Sequence, residues 1–310
     1  DHEKEKKMEM TKKFNVLEIV NERIISQLEK GINPWIKPWV NGLKSFSRNA
    51  KTNKIYKGIN QYLLPNTGYL TFNQIRELGG KLRKGSKAEW VVYANTITKE
   101  KNVIIDGTNA TEEEKYFLLK YYNVFNIEDI ENLKDLKIDE KLKEIATTNA
   151  KFKEFDSRTI EKAEEIINNY IMRTGLQVEH RTTGGAWYNS QFDILSVPYS
   201  KQFDNVLEYY STIFHELAHS TARRVNRKIG GMFGNDAYAK EELIAEITSV
   251  LCLNYLGIDS STTTKNSVAY LQNWSKQLKE KSKTWYILNA TNEAEKAFKY
   301  IFDIKEEEEE

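Results

Sequence analysis

With 310 residues, 40% of them hydrophobic, 12% aromatic and 29% charged, the chain is too apolar for a disordered polymer and long enough for one large or two ordinary folded domains. A single cysteine, Cys252, excludes an internal disulfide and a cysteine-based zinc cluster, and a formal net charge of +1 gives no hint of a partner until it is resolved along the chain. No apolar run approaches a bilayer's thickness and the first residues, Asp1 to Lys7, lack a signal peptide's apolar core, so a protein of a bacterial-type cytoplasm with no membrane partner is expected.

Residues 1–13 and the acidic run Glu306 to Glu310 read as solvated tails. Val16, Leu17, Ile19, Val20, Ile24, Ile25 and Leu28 recur at helical spacing up to Gly31, which predicts a first amphipathic helix. Residues 32–70 turn irregular and basic; Thr71-Phe-Asn-Gln74 is then a capping-box pattern for a short helix ending at Gly79-Gly80. Trp90 to Thr98, Val103 to Ile105 and Tyr116 to Phe125 predict a small antiparallel sheet. From Asn126 to Phe155 the composition shifts to Lys, Glu, Asp and Asn, the expected interdomain connection. A helix with Ala163, Ile166, Ile167, Tyr170 and Ile171 on one face should start at Asp156 or Ser157 and stop at Gly175. Ala186 to Tyr188 and Ile194 to Val197 flank a polar turn, predicting a hairpin that could serve as an edge strand for an extended peptide. Helical patterns follow at 205–226, 239–256, 267–281 and 292–304. The fold class is α+β in two domains, 14–127 and 155–304, the second a small antiparallel sheet followed by helices.

Two of the four histidines fall in His215-Glu216-Leu217-Ala218-His219. The i, i+4 spacing puts both imidazoles on one helix face, where they can reach one divalent ion, with Glu216 beside it as a general base. The surrounding Val206, Leu207, Tyr210, Ile213, Phe214 and Leu217 give this helix an apolar surface to bury. A zinc ion needs a third protein ligand, leaving the fourth position for water. The next helix offers Glu241, Glu242 and Glu246, the last two stacked at i, i+4. This arrangement resembles that of gluzincin metallopeptidases, HExxH on one helix and ExxA/S-D/E on the next. The resemblance makes Glu242 the third ligand and Glu246 the acceptor that fixes a histidine tautomer, and leaves Glu241 facing solvent. One zinc ion per chain and amide hydrolysis by Glu216 are the chemistry it implies. His180, beside Arg181 and Gly184-Gly185, is either an extra polar group near this site or a loop histidine.

From Lys44 to Lys87 there are ten basic residues against one acid, Glu77. That local excess, hidden by the near-neutral total, is the footprint of a polyanion-binding surface. Trp35, Trp39, Phe46, Tyr56, Tyr62, Tyr69 and Phe72 are interleaved with it, and rings among cations suit unpaired nucleic acid, where bases stack and phosphates meet Lys or Arg. The alternative is that Pro34 and Pro38 hold Trp35 and Trp39 as core or turn aromatics, with the lysines solvating a loop.

Taken together, Pro34-Trp-Ile-Lys-Pro-Trp39, Tyr56-Lys-Gly-Ile-Asn60, Gly79 to Lys87, Tyr121 to Asn126, Tyr209 to Ser220 and Phe233 to Glu246 resemble one family, the ArdC-type antirestriction proteins. The resemblance runs from about residue 14 to 304 and implies an N-terminal single-stranded-DNA-binding domain and a C-terminal zincin-like metallopeptidase domain. It also implies a mobile-element or plasmid protein that shields incoming DNA during conjugation. On that reading Trp35, Lys37, Trp39, Lys54, Tyr56, Lys57, Asn60, Arg83, Lys84 and Lys87 face the DNA. His215, His219 and Glu242 hold the metal, Glu216 is catalytic, Glu246 supports a ligand, and a protein is the substrate. The other reading is a non-catalytic protein that coats single-stranded DNA and keeps a structural metal site.

Overall fold

The computed structural model describes residues 16–30, 46–64, 68–105, 108–147, 157–228, 236–258 and 284–305. The predicted first helix forms as α1 (Val16–Glu29). Val20, Ile24 and Leu28, a row at i, i+4, i+8, are buried. Next come β1 (Arg48–Asn49), α2 (Asn60–Leu63) and β2 (Gly68–Leu70). Helix α3 (Phe72–Glu77) opens on the predicted capping box, with Thr71 accepting from the Gln74 N–H and the Gln74 side chain accepting from the Thr71 N–H.

The strand-like segments between 90 and 125 form one long ribbon instead of several short strands. Strand β3 (Glu89–Ile105) pairs antiparallel with β4 (Thr108–Asn126) in unbroken register from Glu89↔Val124 to Ile105↔Thr108. The polar interruption Lys99-Glu-Lys-Asn102 breaks the apolar pattern but not the backbone ladder. The sheet order is β1-β2-β4-β3.

The described part of the polar stretch after β4 is folded into the first half of the chain. Ile127, Ile130, Leu133 and Leu136 recur every third residue and, with Leu142, are buried against Leu70 and Ile75. Two 3-10 turns (Ile127–Asp129 and Leu133–Asp135) and α4 (Glu140–Thr147) carry them, and a period of three is the one a 3-10 turn presents on one face. Five apolar side chains at the right spacing thus fold a segment whose average composition is polar.

Helix α5 (Ser157–Thr174) ends at Gly175, φ +70°, the left-handed residue that glycine supplies at helix C-termini. Strands β5 (Gln177–Arg181), β6 (Trp187–Asn189) and β7 (Ile194–Pro198) form a sheet of order β5-β7-β6, with β5 parallel and β6 antiparallel to β7. The predicted hairpin is β6–β7, but β7 is paired on both sides, so the open edges belong to β5 and β6. Gln-Val-Glu-His-Arg of β5 has one apolar residue, hence no alternation to read. Helices α6 (Val206–Arg224), α7 (Asp236–Leu256) and α8 (Thr284–Ile301) follow. The helix predicted at 267–281 lies outside the described residues, and α8 begins earlier than the pattern from Asn292 suggested.

One core joins the two halves of the chain. Val20, Ile24, Leu28, Ile59 and Leu63 are buried in the same cluster as Tyr170, Phe214, Leu217, Ile247, Ile287 and Phe298. Phe46 packs edge-on against Phe298 with ring centroids 5.5 Å apart, and the Gly58 N–H donates to the Glu295 carboxylate. Gly58 sits at φ +57°, and a Cβ there would run into the Asn292 side chain, so this close approach depends on glycine. No helix among the described residues is long and apolar enough to cross a membrane.

Candidate metal centre

Helices α6 and α7 pack against each other, and their facing rows bring the predicted ligands together. On α6 the row Tyr210, Ile213, Phe214 and Leu217 is buried and the Asn205 side chain caps the first turn through the Leu207 N–H. His215 and His219, one turn apart, therefore point across to α7, where Tyr238, Glu242 and Glu246 share a face at i, i+4, i+8. His215 Nε2 and His219 Nε2 are 3.2 Å apart. Glu242 places Oε2 3.6 Å from His215 Nε2 and Oε1 3.5 Å from His219 Nε2.

These three residues fit a divalent ion. Two imidazole nitrogens facing each other at 3.2 Å cannot both present bare lone pairs. An ion with metal–nitrogen bonds of about 2.0–2.1 Å spans such separations at close to tetrahedral angles. The ligand atoms of His215, His219 and Glu242 all lie within 4.8 Å of one another. Each of the three keeps part of its side-chain surface exposed.

The remaining ring nitrogens meet carboxylates as well. His215 Nδ1 faces Glu246 Oε2 at 3.6 Å, and His219 Nδ1 donates to Glu241 Oε1 at 3.1 Å. Burial works against charge on His215, but the carboxylates of Glu242, Glu246 and Glu216 outweigh it and push its pKa up to about 10. Burial likewise raises the Glu216 carboxyl above its ordinary range; the two histidines oppose this and Glu242 adds to it. Glu242 is held low despite burial by His215 and His219, with the Tyr238 hydroxyl donating to it.

Glu241 overturns its expected exposure. It is 5% exposed, bonded to His219 and paired with Arg227. A signal was present in the sequence: Glu241, Ala245, Thr248 and Cys252 form a row, and all are buried, because α7 is enclosed on nearly every side. His180 lies on β5, its ring stacked on Tyr199 at 5.3 Å and its Nε2 3.4 Å from the Tyr209 hydroxyl, and it does not join the ligand cluster.

The residues predicted to face DNA divide three ways. Trp35, Lys37 and Trp39 lie outside the described residues. Lys54, Lys57, Arg83, Lys84 and Lys87 are exposed. Tyr56 and Asn60 are buried and occupied inside the fold, which corrects their expected place on the surface. The Asn60 amide accepts from the Val92 N–H at 2.7 Å and donates to the Val92 carbonyl at 2.8 Å, closing the open edge of β3. Tyr56 packs with Val91 and Val124. Tyr93, Tyr121 and Tyr122 on the ribbon, which were not among the residues expected to face DNA, are exposed as well, as is Phe72.

Residues 14–125 match the N-terminal domain of anti-restriction factor ArdC, and residues 161–293 match a zincin-like metallopeptidase domain. The fold matches the metal-free crystal structure of the antirestriction ArdC protein from plasmid R388 with a TM-score of 0.67 and 28% identity, covering 93% of this chain and 97% of that one. The chain combines an ArdC-type N-terminal domain with a zincin-like metallopeptidase domain. Its α+β architecture is the two-domain ArdC-like fold. The Mn(II)-bound crystal structure of the R388 protein matches this chain with a TM-score of 0.68 and 27% identity, over 94% of this chain and 98% of that one. Two Escherichia coli relatives, each named DNA primase TraC, are 31% identical over 98% and 97% of this chain, which spans 21% and 28% of their own lengths. The protein y4eC of Sinorhizobium fredii is 24% identical over 86% of this chain and 85% of its own.

Proposed function

We propose that this chain is an antirestriction-type protein of a mobile element, acting in the bacterial cytoplasm, that binds single-stranded DNA and carries a zinc-dependent peptidase centre. The observation that carries the reading is the convergence of His215, His219 and Glu242, with the buried Glu216 next to His215 on the same helix. A His₂Glu set with an open fourth position suits catalytic zinc; Mn(II), the ion held by the R388 relative, is the competing candidate.

A bound zinc ion would supply Lewis acidity toward a peptide carbonyl and toward water. Glu216 takes the proton of the attacking water and returns it to the leaving amine, and a carboxyl raised above its ordinary range is suited to both steps. Glu242 neutralises part of the ion's charge, and Glu246 faces the outer nitrogen of His215. A protein is the proposed substrate. On the N-terminal half, Lys54, Lys57, Arg83, Lys84 and Lys87 supply cations for phosphates, and the exposed rings of Phe72, Tyr93, Tyr121 and Tyr122 supply faces for bases.

Metal content by mass spectrometry is the first test, with about one zinc per wild-type chain expected and a loss in both His215→Ala and Glu242→Ala. Glu216→Gln separates the enzyme from the DNA-coating protein. It should retain metal and DNA affinity and lose peptide hydrolysis and the protection of DNA; protection that survives the substitution assigns the function to DNA binding alone.

A further inference from the structure

Glu241 lies beside the metal ligand Glu242 in sequence, yet both of its oxygens are committed elsewhere. Oε1 lies 3.1 Å from His219 Nδ1 and 2.8 Å from Arg227 Nη2, and Oε2 lies 3.0 Å from Arg227 Nε. Arg227 follows the end of α6 and folds back onto it, donating from Nη2 to the Ala218 carbonyl at 2.9 Å and from Nη1 to Thr221 Oγ1 at 3.2 Å. Both side chains of the pair are 6% exposed. A closed path thus runs from His219 to Glu241, to Arg227, and back to the backbone one residue before His219.

We propose that Glu241 is a positioning residue of the metal centre, clamped by Arg227, that holds His219 with its proton on Nδ1 and its Nε2 lone pair directed at the ion. The inference rests on the reading of His215, His219 and Glu242 as ligands. A neutral imidazole has one donor and one acceptor nitrogen, so an anion that fixes the donor fixes the ligand atom too. The bidentate guanidinium does a second thing. By occupying both oxygens of Glu241 it keeps that carboxylate from swinging to the ion in place of Glu242, a selection that sequence proximity alone cannot make. His219 is the better anchored of the two histidines, since the Glu246 contact to His215 Nδ1, at 3.6 Å, is longer than a hydrogen bond.

The test measures zinc affinity of the full-length chain by competition with a chromophoric chelator, beside the thermal midpoint of the metal-free protein and ¹⁵N-histidine spectra that report each ring's tautomer. Glu241→Gln, which keeps the shape and removes the charge, should weaken zinc binding about 10–100-fold and change the His219 signals while leaving those of His180 in place. Arg227→Gln should weaken binding in the same direction. The double variant should lose less than the sum of the two, because both act through one imidazole. If Glu241→Gln does not fold, Glu241→Asp, which keeps the charge but shortens the reach, should still show weakened zinc binding and altered His219 signals. A lowered thermal midpoint with zinc affinity and His219 signals unchanged would overturn the proposal, leaving Glu241 a purely structural residue. His215→Ala keeps the two readings apart. Zinc lost there but held at wild-type affinity in Glu241→Gln refutes the clamp alone, whereas zinc retained in His215→Ala refutes the centre and the clamp with it.

Discussion

Asp193 shows how single side chains hold the second sheet to the ligand helix. It sits at φ +57° in the turn between β6 and β7 and accepts from Arg224 Nη2 at 2.7 Å, from Nη1 at 3.0 Å and from the Tyr188 hydroxyl at 2.8 Å. Burial works against its charge, but the hydrogen bonds from Arg224 and Tyr188 outweigh that and hold the carboxyl below its ordinary value. A carboxyl depressed in the folded state contributes stability that is present above its unfolded pKa, about 3.9, and lost as pH falls through the folded pKa. The wild type should therefore lose stability on acidification below about pH 4, and Asp193→Asn, which tolerates the left-handed backbone, should flatten that acid limb. Its cost at neutral pH should be about 2 kcal/mol in denaturant titrations; a variant as stable as wild type would show that the turn is held by packing instead.

At the level of elements, the ends and edges carry the risk. Thr71→Ala removes one half of the α3 capping box and should cost about 1 kcal/mol. Asn60→Ala is more severe, because it strips both backbone partners from Val92 on an outer strand and leaves a buried N–H and a buried C=O unmet. Chemical denaturation should show a loss of about 2–3 kcal/mol. Asn60→Asp, which at neutral pH sets a buried carboxylate against the Val92 carbonyl oxygen, should cost at least as much. The result would also separate Asn60 from DNA binding, since a residue that faced nucleic acid would change affinity without changing stability.

For the whole molecule, the shared core makes the halves interdependent. Cutting after residue 147 would expose Val20, Ile24, Leu28, Ile59 and Leu63, which pack in one cluster with the second half. Such a fragment should bind a hydrophobic dye and melt below the full chain, while Gly58→Ala in the intact chain should lower the thermal midpoint by straining the junction with α8. The proposed DNA binding belongs to this scale too, since it would depend on summed charge. Removing Arg83, Lys84 and Lys87 together should weaken single-stranded DNA binding across all sequences and reduce the salt slope by about 2, at about 0.7 per phosphate contact. An unchanged slope would place the DNA elsewhere on the molecule.

Periodicity and spacing by themselves determined α1, α5, α6, the capping box at Thr71 and the pairing of β6 with β7, because each is a local pattern whose physics lies within a few residues. They also put His215 and His219 together, since i, i+4 residues share a helix face wherever that helix lies, while the choice of Glu242 rested on the resemblance to gluzincins. Tertiary structure alone decided what depends on distant neighbours. A five-residue strand with one valine became a sheet edge because β7 was there to pair with it. Asn60 and Tyr56 went inward because β3 had an edge to close and a face to cover. Glu241 left the solvent because α7 is enclosed and Arg227 folds back from the end of α6 to meet it. A carboxylate's role is set by what surrounds it, and those surroundings come together only once the helices have packed.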